Sequence, residues 1–188
     1  LIEHHKWISF KTFLYLFTHY KAIKQISAKK NEKGTKAHFY NAYFLKEYSK
    51  IFDYDMLVNA EYINQYNYNI QKEYPSQEDK MKYAEYLVKC YSEASCVITS
   101  RIHCALPCTG LETPVIFVEK TGDNEYSTDR FGGLINLFNT ITWDGFQLIN
   151  TLTKQKINRD NFPKVKQGWE IIANKLIDSC FSFIKSKS

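Results

Sequence analysis

Residues 94–118 read Ala-Ser-Cys-Val-Ile-Thr-Ser-Arg-Ile-His-Cys-Ala-Leu-Pro-Cys-Thr-Gly-Leu-Glu-Thr-Pro-Val-Ile-Phe-Val. A short β-branched run (Val97, Ile98, Thr99) meets Ser100, Arg101 and His103. A compact helical segment follows, and then a second apolar run over 115–118. The order predicts a strand over 96–99, a helix over 103–111 and a strand over 114–118, a β-α-β unit whose crossover sets the two strands parallel. Pro107 fits if the helix starts near Ile102 or His103, because amides of the first turn lack internal partners.

Working outward, the flanks supply helices for such a sheet. Upstream, Ser76 and Asp79 have capping-box spacing. They open a helix whose Met81, Ala84, Leu87, Val88 and Tyr91 recur near every 3.6 residues. Before it, residues 64–74 are rich in Asn, Gln and Tyr and read as a loop, and Met56-Leu57-Val58 reads as a strand core. Further back, helices are expected over 5–28 and 37–51, with a glycine-containing loop over 29–36. Downstream, 120–129 is a polar loop. Arg130 and Gly132-Gly133 then open a short helical run over 134–138, and residues 140–143 form a last short strand. From Asn161, read as a cap with Pro163 near the first turn, apolar residues from Val165 to Phe181 repeat at three and four and predict a closing helix.

The chain has 188 residues, 44% hydrophobic and 24% charged, enough for one core and at most two small domains. The expected division is a basic, aromatic helical segment over 1–50, a linker or the remnant of another domain, and a Rossmann-like α/β domain with a C-terminal helix over 51–188. The first residue is leucine and no secretory pattern follows it, so a piece of a longer protein is expected. Residues 1–36 carry eight lysines against Glu3 and Glu32, a local +6, and the rest of the chain is close to −1. With Trp7, Phe10, Phe13, Tyr15, Phe17 and Tyr20 interleaved, that segment suits an anionic membrane surface, although a lysine-edged helix facing a core or a partner is the commoner arrangement. Nucleic acid is not expected as a partner. The longest uncharged run there, residues 12–18, is far short of the ~20 residues that span a bilayer. Five cysteines without a paired C-x-x-C read as reduced, mostly buried thiols. His103, Cys104 and Cys108 on one short helix, with no second cluster, do not make a zinc site, and no metal is expected.

A loop leaving a strand and entering a helix offers unpaired amides and the positive end of the helix dipole. Thr99 and Ser100 add hydroxyls, Arg101 adds a fork suited to carboxylate or phosphate, and His103 adds a group able to move protons near neutral pH. A small anion is the natural guest. The competing explanations are a structural ion pair for Arg101 and a packed or capping role for His103.

Residues 83–91, 94–108 with Thr99-Ser100-Arg101-Ile102-His103-Cys104-Ala105-Leu106-Pro107, 113–118 and Asp129-Arg130-Phe131-Gly132-Gly133-Leu134 resemble the carboxyl-terminal, donor-binding part of the polysaccharide pyruvyl transferase family. The resemblance covers roughly 54–145. It implies a Rossmann-like parallel sheet flanked by helices, as in the C-terminal half of a GT-B-like fold. It also implies transfer of a pyruvyl group from phosphoenolpyruvate to a sugar hydroxyl of a surface polysaccharide or exopolysaccharide in the cytoplasm, with a glycan or lipid-linked sugar as acceptor and no cofactor besides the donor. Carried over residue by residue, Arg101 and His103 are the catalytic pair, and Thr99, Ser100, Arg101 and Arg130 bind substrate. This chain departs from the family in having Asn59-Ala60-Glu61 where relatives often carry a Thr-His-like pair, and Glu112 where glycine is common. Two other readings stay open: a GT-B-like glycosyltransferase using a nucleotide sugar, and a non-catalytic module docking on a membrane or partner through residues 1–36.

Overall fold

The computed structural model describes residues 9–63, 72–120, 133–145 and 147–185. Among these, four strands form one sheet in the order β1-β2-β3-β4, with β1 (Val97–Thr99), β2 (Val115–Lys120), β3 (Asn139–Trp143) and β4 (Leu148–Ile149). β1 runs parallel to β2, with Val97 opposite Val115, and β2 runs parallel to β3. β4 is antiparallel to β3, so the sheet is not wholly parallel as expected. A two-residue strand joined to β3 by a short turn has no room for the crossover that parallel pairing needs.

The uninterrupted apolar run of β2 is explained by burial on both faces. Ile116 and Val118 enter a core with Leu16, Ile23, Ile26, Leu45 and Phe52 on one side. Val115 and Phe117 enter a second core on the other side, with Tyr91, Ile102, Cys108 and Phe138. The helices α1 (Phe10–Thr18), α2 (Tyr20–Lys29), α3 (Thr35–Tyr48) and α4 (Tyr54–Asn59) cover the first face. The second face is covered by α5 (Gln77–Glu93), α6 (Ile102–Gly110) and the 3₁₀ turn Leu134–Leu137. Residues from both 1–50 and 51–188 share the first core.

The helix expected over 5–28 is two helices broken at His19, whose backbone leaves the helical region (φ −120°, ψ 21°) and whose ring stacks on Tyr15 at 3.9 Å. Residues 5–8 lie outside the described residues, as do 64–71 of the expected loop. Met56-Leu57-Val58 is not a strand but the body of α4. The Asp53 carboxylate accepts the Met56 amide at 3.0 Å, and this cap wins over a three-residue apolar run that periodicity alone cannot classify. The capping box at Ser76 and Asp79 forms as read.

Pro107 is the sixth residue of α6 rather than part of its first turn, and it lacks the amide that would meet the His103 carbonyl. α6 ends in a Schellman arrangement. The Glu112 amide donates to Thr109 and the Thr113 amide to Cys108, which forces Glu112 to φ 57°. The departure from glycine at 112 is therefore a strained one.

The closing helix α7 starts at Trp169, not near Asn161. Asn161 instead ties a turn, its side chain accepting from the Asn158 amide at 2.7 Å and donating to the Lys156 carbonyl at 2.9 Å. Ile157, fully buried, bridges to Phe52 and holds that turn against the first core. No residue of α7 is buried.

Candidate functional site

β1 is the edge strand, and a cavity of about 820 Å³ opens beside it, within the usual range of roughly 300–1,000 Å³ for small-molecule sites. Its walls come from the end of α4 and the segment after it, the end of α5, β1 with its junction to α6, and the turn that carries Arg159. Where β1 ends, the Thr99 hydroxyl accepts the Arg101 amide at 3.1 Å, which bends the chain into α6. Arg101 then stands at the cap position in extended backbone, and its carbonyl accepts the amides of Cys104 and Ala105, both at 3.0 Å. A polar strand end thus passes directly into a helix start, as the Thr-Ser-Arg sequence predicted.

Thr99, Ser100 and Arg101 all line the cavity. His103, the second residue of α6, is exposed and is not among the lining residues. Arg130 lies outside the described residues. Cys104 lines the cavity, and its thiol is pulled below the usual range by the Cys108 thiol, with Tyr91, Thr99 and Arg101 adding to the effect. Cys96, also on the wall, is pushed up to about 12 by burial. Among the described residues no three His, Cys, Asp or Glu side chains gather as metal ligands, and no helix is long and apolar enough to cross a membrane.

The structure adds residues that sequence reasoning did not select. Lys30 reaches the cavity from the end of α2, its ammonium 3.9 Å from the Phe44 ring centroid and 4.9 Å from that of Tyr62, while donating to the Asn41 side chain at 2.8 Å. Burial pulls its pKa down to about 8, against the pull of Glu32. Tyr62 is held by its hydroxyl, which donates to the Leu57 carbonyl at 2.7 Å. Burial raises the phenol pKa of Tyr62, and burial alone pushes Tyr48 up to about 12. The departing Asn59-Ala60-Glu61 segment forms part of the wall. Its backbone is fixed by Lys29, which donates to the carbonyls of Val58 and Ala60, both at 3.0 Å. No sequence signal separated Lys29 and Lys30 from the six other lysines of the front segment. Their roles come from where α2 ends against α4.

Chemically, the β1–α6 junction offers hydroxyls, a guanidinium and a helix start, and the other walls are mostly apolar and aromatic, with Lys30, Arg159, Glu61 and Glu93 as further charged groups. Such a division receives an anion at the junction and a neutral, hydroxyl-bearing group along the other walls. A family model described as Polysaccharide pyruvyl transferase matches residues 14–119, more than half of the chain and reaching well into the front helices. No curated protein and no solved structure gives a significant match.

Proposed function

The chain belongs to the polysaccharide pyruvyl transferase family, and from that premise we propose that it transfers a pyruvyl group from phosphoenolpyruvate to a sugar hydroxyl, its α/β layers serving as the donor-binding half of a GT-B-like enzyme. The observation that carries this reading is the convergence of Thr99, Ser100 and Arg101 on one cavity at a strand-to-helix junction. Arg101 and the first-turn amides of α6 bind the phosphate, with the hydroxyls of Thr99 and Ser100 as further donors. During addition a proton must reach the methylene carbon and another must leave the sugar hydroxyl before phosphate departs. His103, two residues from Arg101, is exposed and outside the cavity lining, so it does not stand where that exchange takes place. Arg130 is a further donor-binding residue. The acceptor is a glycan or lipid-linked sugar on the cytoplasmic side of a membrane.

The deciding experiment is thermal melting with and without phosphoenolpyruvate. The ligand raises the melting temperature of the wild type, and Arg101→Ala removes the rise. No shift in the wild type overturns the donor assignment. A nucleotide-sugar glycosyltransferase would instead respond to a uridine diphosphate sugar that phosphoenolpyruvate does not displace.

A peripheral membrane contact is favoured by α1, where Phe10, Phe13, Leu14 and Phe17 are 81%, 45%, 57% and 67% exposed along one face. Exposed Lys11, Lys21 and Lys24 lie nearby in the sequence to meet anionic lipid.

A further inference from the structure

Phosphoenolpyruvate carries two anionic groups, and the β1–α6 junction accounts for one of them. The cavity contains two other cations. Lys30 is already engaged by Asn41 and by the rings of Phe44 and Tyr62. Arg159 also lines the cavity, and it makes no hydrogen bond or ion pair with any described residue. Its backbone is held firmly. The Asn158 side chain accepts the Asp160 amide at 2.8 Å, Asn161 closes the turn, and the buried Ile157 exchanges hydrogen bonds of 2.8 Å with Ile51 and Asp53. A fixed turn that sets a guanidinium without partners among the described residues on a cavity wall leaves its fork available to an anion, and binding orders the side chain while the backbone is already in place. Glu61 and Glu93 on the walls repel an anion from their parts of the same space.

We infer that Arg159 is the second anion-binding residue of this cavity and takes the carboxylate of phosphoenolpyruvate in a bidentate fork, while the 99–101 junction and α6 take the phosphate. The inference rests on the donor reading above. Neither periodicity nor local motif marks Arg159, which lies 58 residues beyond Arg101. The Phe52–Ile157 bridge brings its turn to the cavity wall.

The test is calorimetric titration of the full chain with phosphoenolpyruvate and, separately, with inorganic phosphate, for wild type, Arg159→Gln and Arg159→Lys. Arg159→Gln weakens phosphoenolpyruvate binding roughly ten- to a hundredfold, the range of a charge-assisted contact, and leaves phosphate binding unchanged. Arg159→Lys falls between, since an ammonium keeps the charge but loses the fork. The side chain is exposed and its turn is tied by other residues, so both variants melt as the wild type does. Wild-type affinity for phosphoenolpyruvate in Arg159→Gln overturns the inference and leaves the donor reading standing. Equal loss for both ligands overturns the carboxylate assignment. Failure of the wild type itself to bind phosphoenolpyruvate removes the donor reading, and this inference falls with it.

Discussion

Lys30 makes the stability of this protein depend on pH in a direction opposite to that of an ordinary paired lysine. Its ammonium is half-buried against Phe44 and Tyr62, and burial lowers its pKa from 10.5 to about 8. The unfolded chain therefore holds more protons than the folded one between about pH 8 and 10.5, so stability rises as pH increases through that window. The ceiling on the whole effect is about 3 kcal/mol, and integration from about pH 7.5 to 9 gives about 1 kcal/mol. The ammonium keeps some contact with water, so the measured gain falls somewhat below that. Above about pH 9 the half-buried Cys96 thiol and the Tyr48 phenol, both raised to about 12 in the fold, pull stability down again. Denaturant midpoints at constant ionic strength, for wild type and Lys30→Met, isolate the lysine. The wild-type curve climbs from about pH 7.5 to 9, by roughly 2–4 °C if followed as melting temperature. The variant curve keeps only the contributions of the other groups, the depressed Cys104 thiol among them, and climbs less steeply than the wild type. Parallel curves would refute the reasoning, whatever the absolute stabilities, because the loss of the donor to Asn41 shifts the variant equally at every pH.

Phe52→Ala opens a cavity where a fully buried ring meets Tyr48 and the Ile157 bridge, and it costs about 3–5 kcal/mol in urea denaturation. If the donor reading is right, the same variant also weakens phosphoenolpyruvate binding, since the bridge holds the Arg159 turn. Glu112→Gly relieves left-handed strain at φ 57° and stabilises by about 1 kcal/mol, read as a rise in melting temperature; a fall would mean that the Schellman turn is misassigned. Phe10→Ser combined with Phe17→Ser abolishes flotation with anionic vesicles at low salt and leaves melting unchanged, because both rings are exposed; retained flotation removes α1 from any membrane contact.

The β-α-β unit over 97–118, the capping box at Ser76 and the polar junction at Thr99 to Arg101 were legible because each is a local pattern. A period of two or of 3.6, a cap three residues from its partner and a hydroxyl beside a strand end all act within a few residues. The same locality explains the errors. Met56-Leu57-Val58 was too short to betray its period, and the Asp53 cap made it helical. The Asn161 side chain found partners in its own turn, so the closing helix began eight residues later. The position of His103 beside Arg101 in the chain did not carry it into the cavity, because residues at the cap and second positions of a helix point in different directions.

By itself, then, the sequence determined the α/β class, the strand-to-helix junction that offers an anion its donors, and the family to which those motifs belong. Tertiary structure alone decided that front-segment helices cover the sheet, that Lys30 is caged by two rings, and that Arg159 lines the cavity with Arg101. These facts depend on contacts between residues tens of positions apart, such as Phe52 with Ile157. Chain folding brings such residues together through burial of side chains whose partners no local pattern identifies.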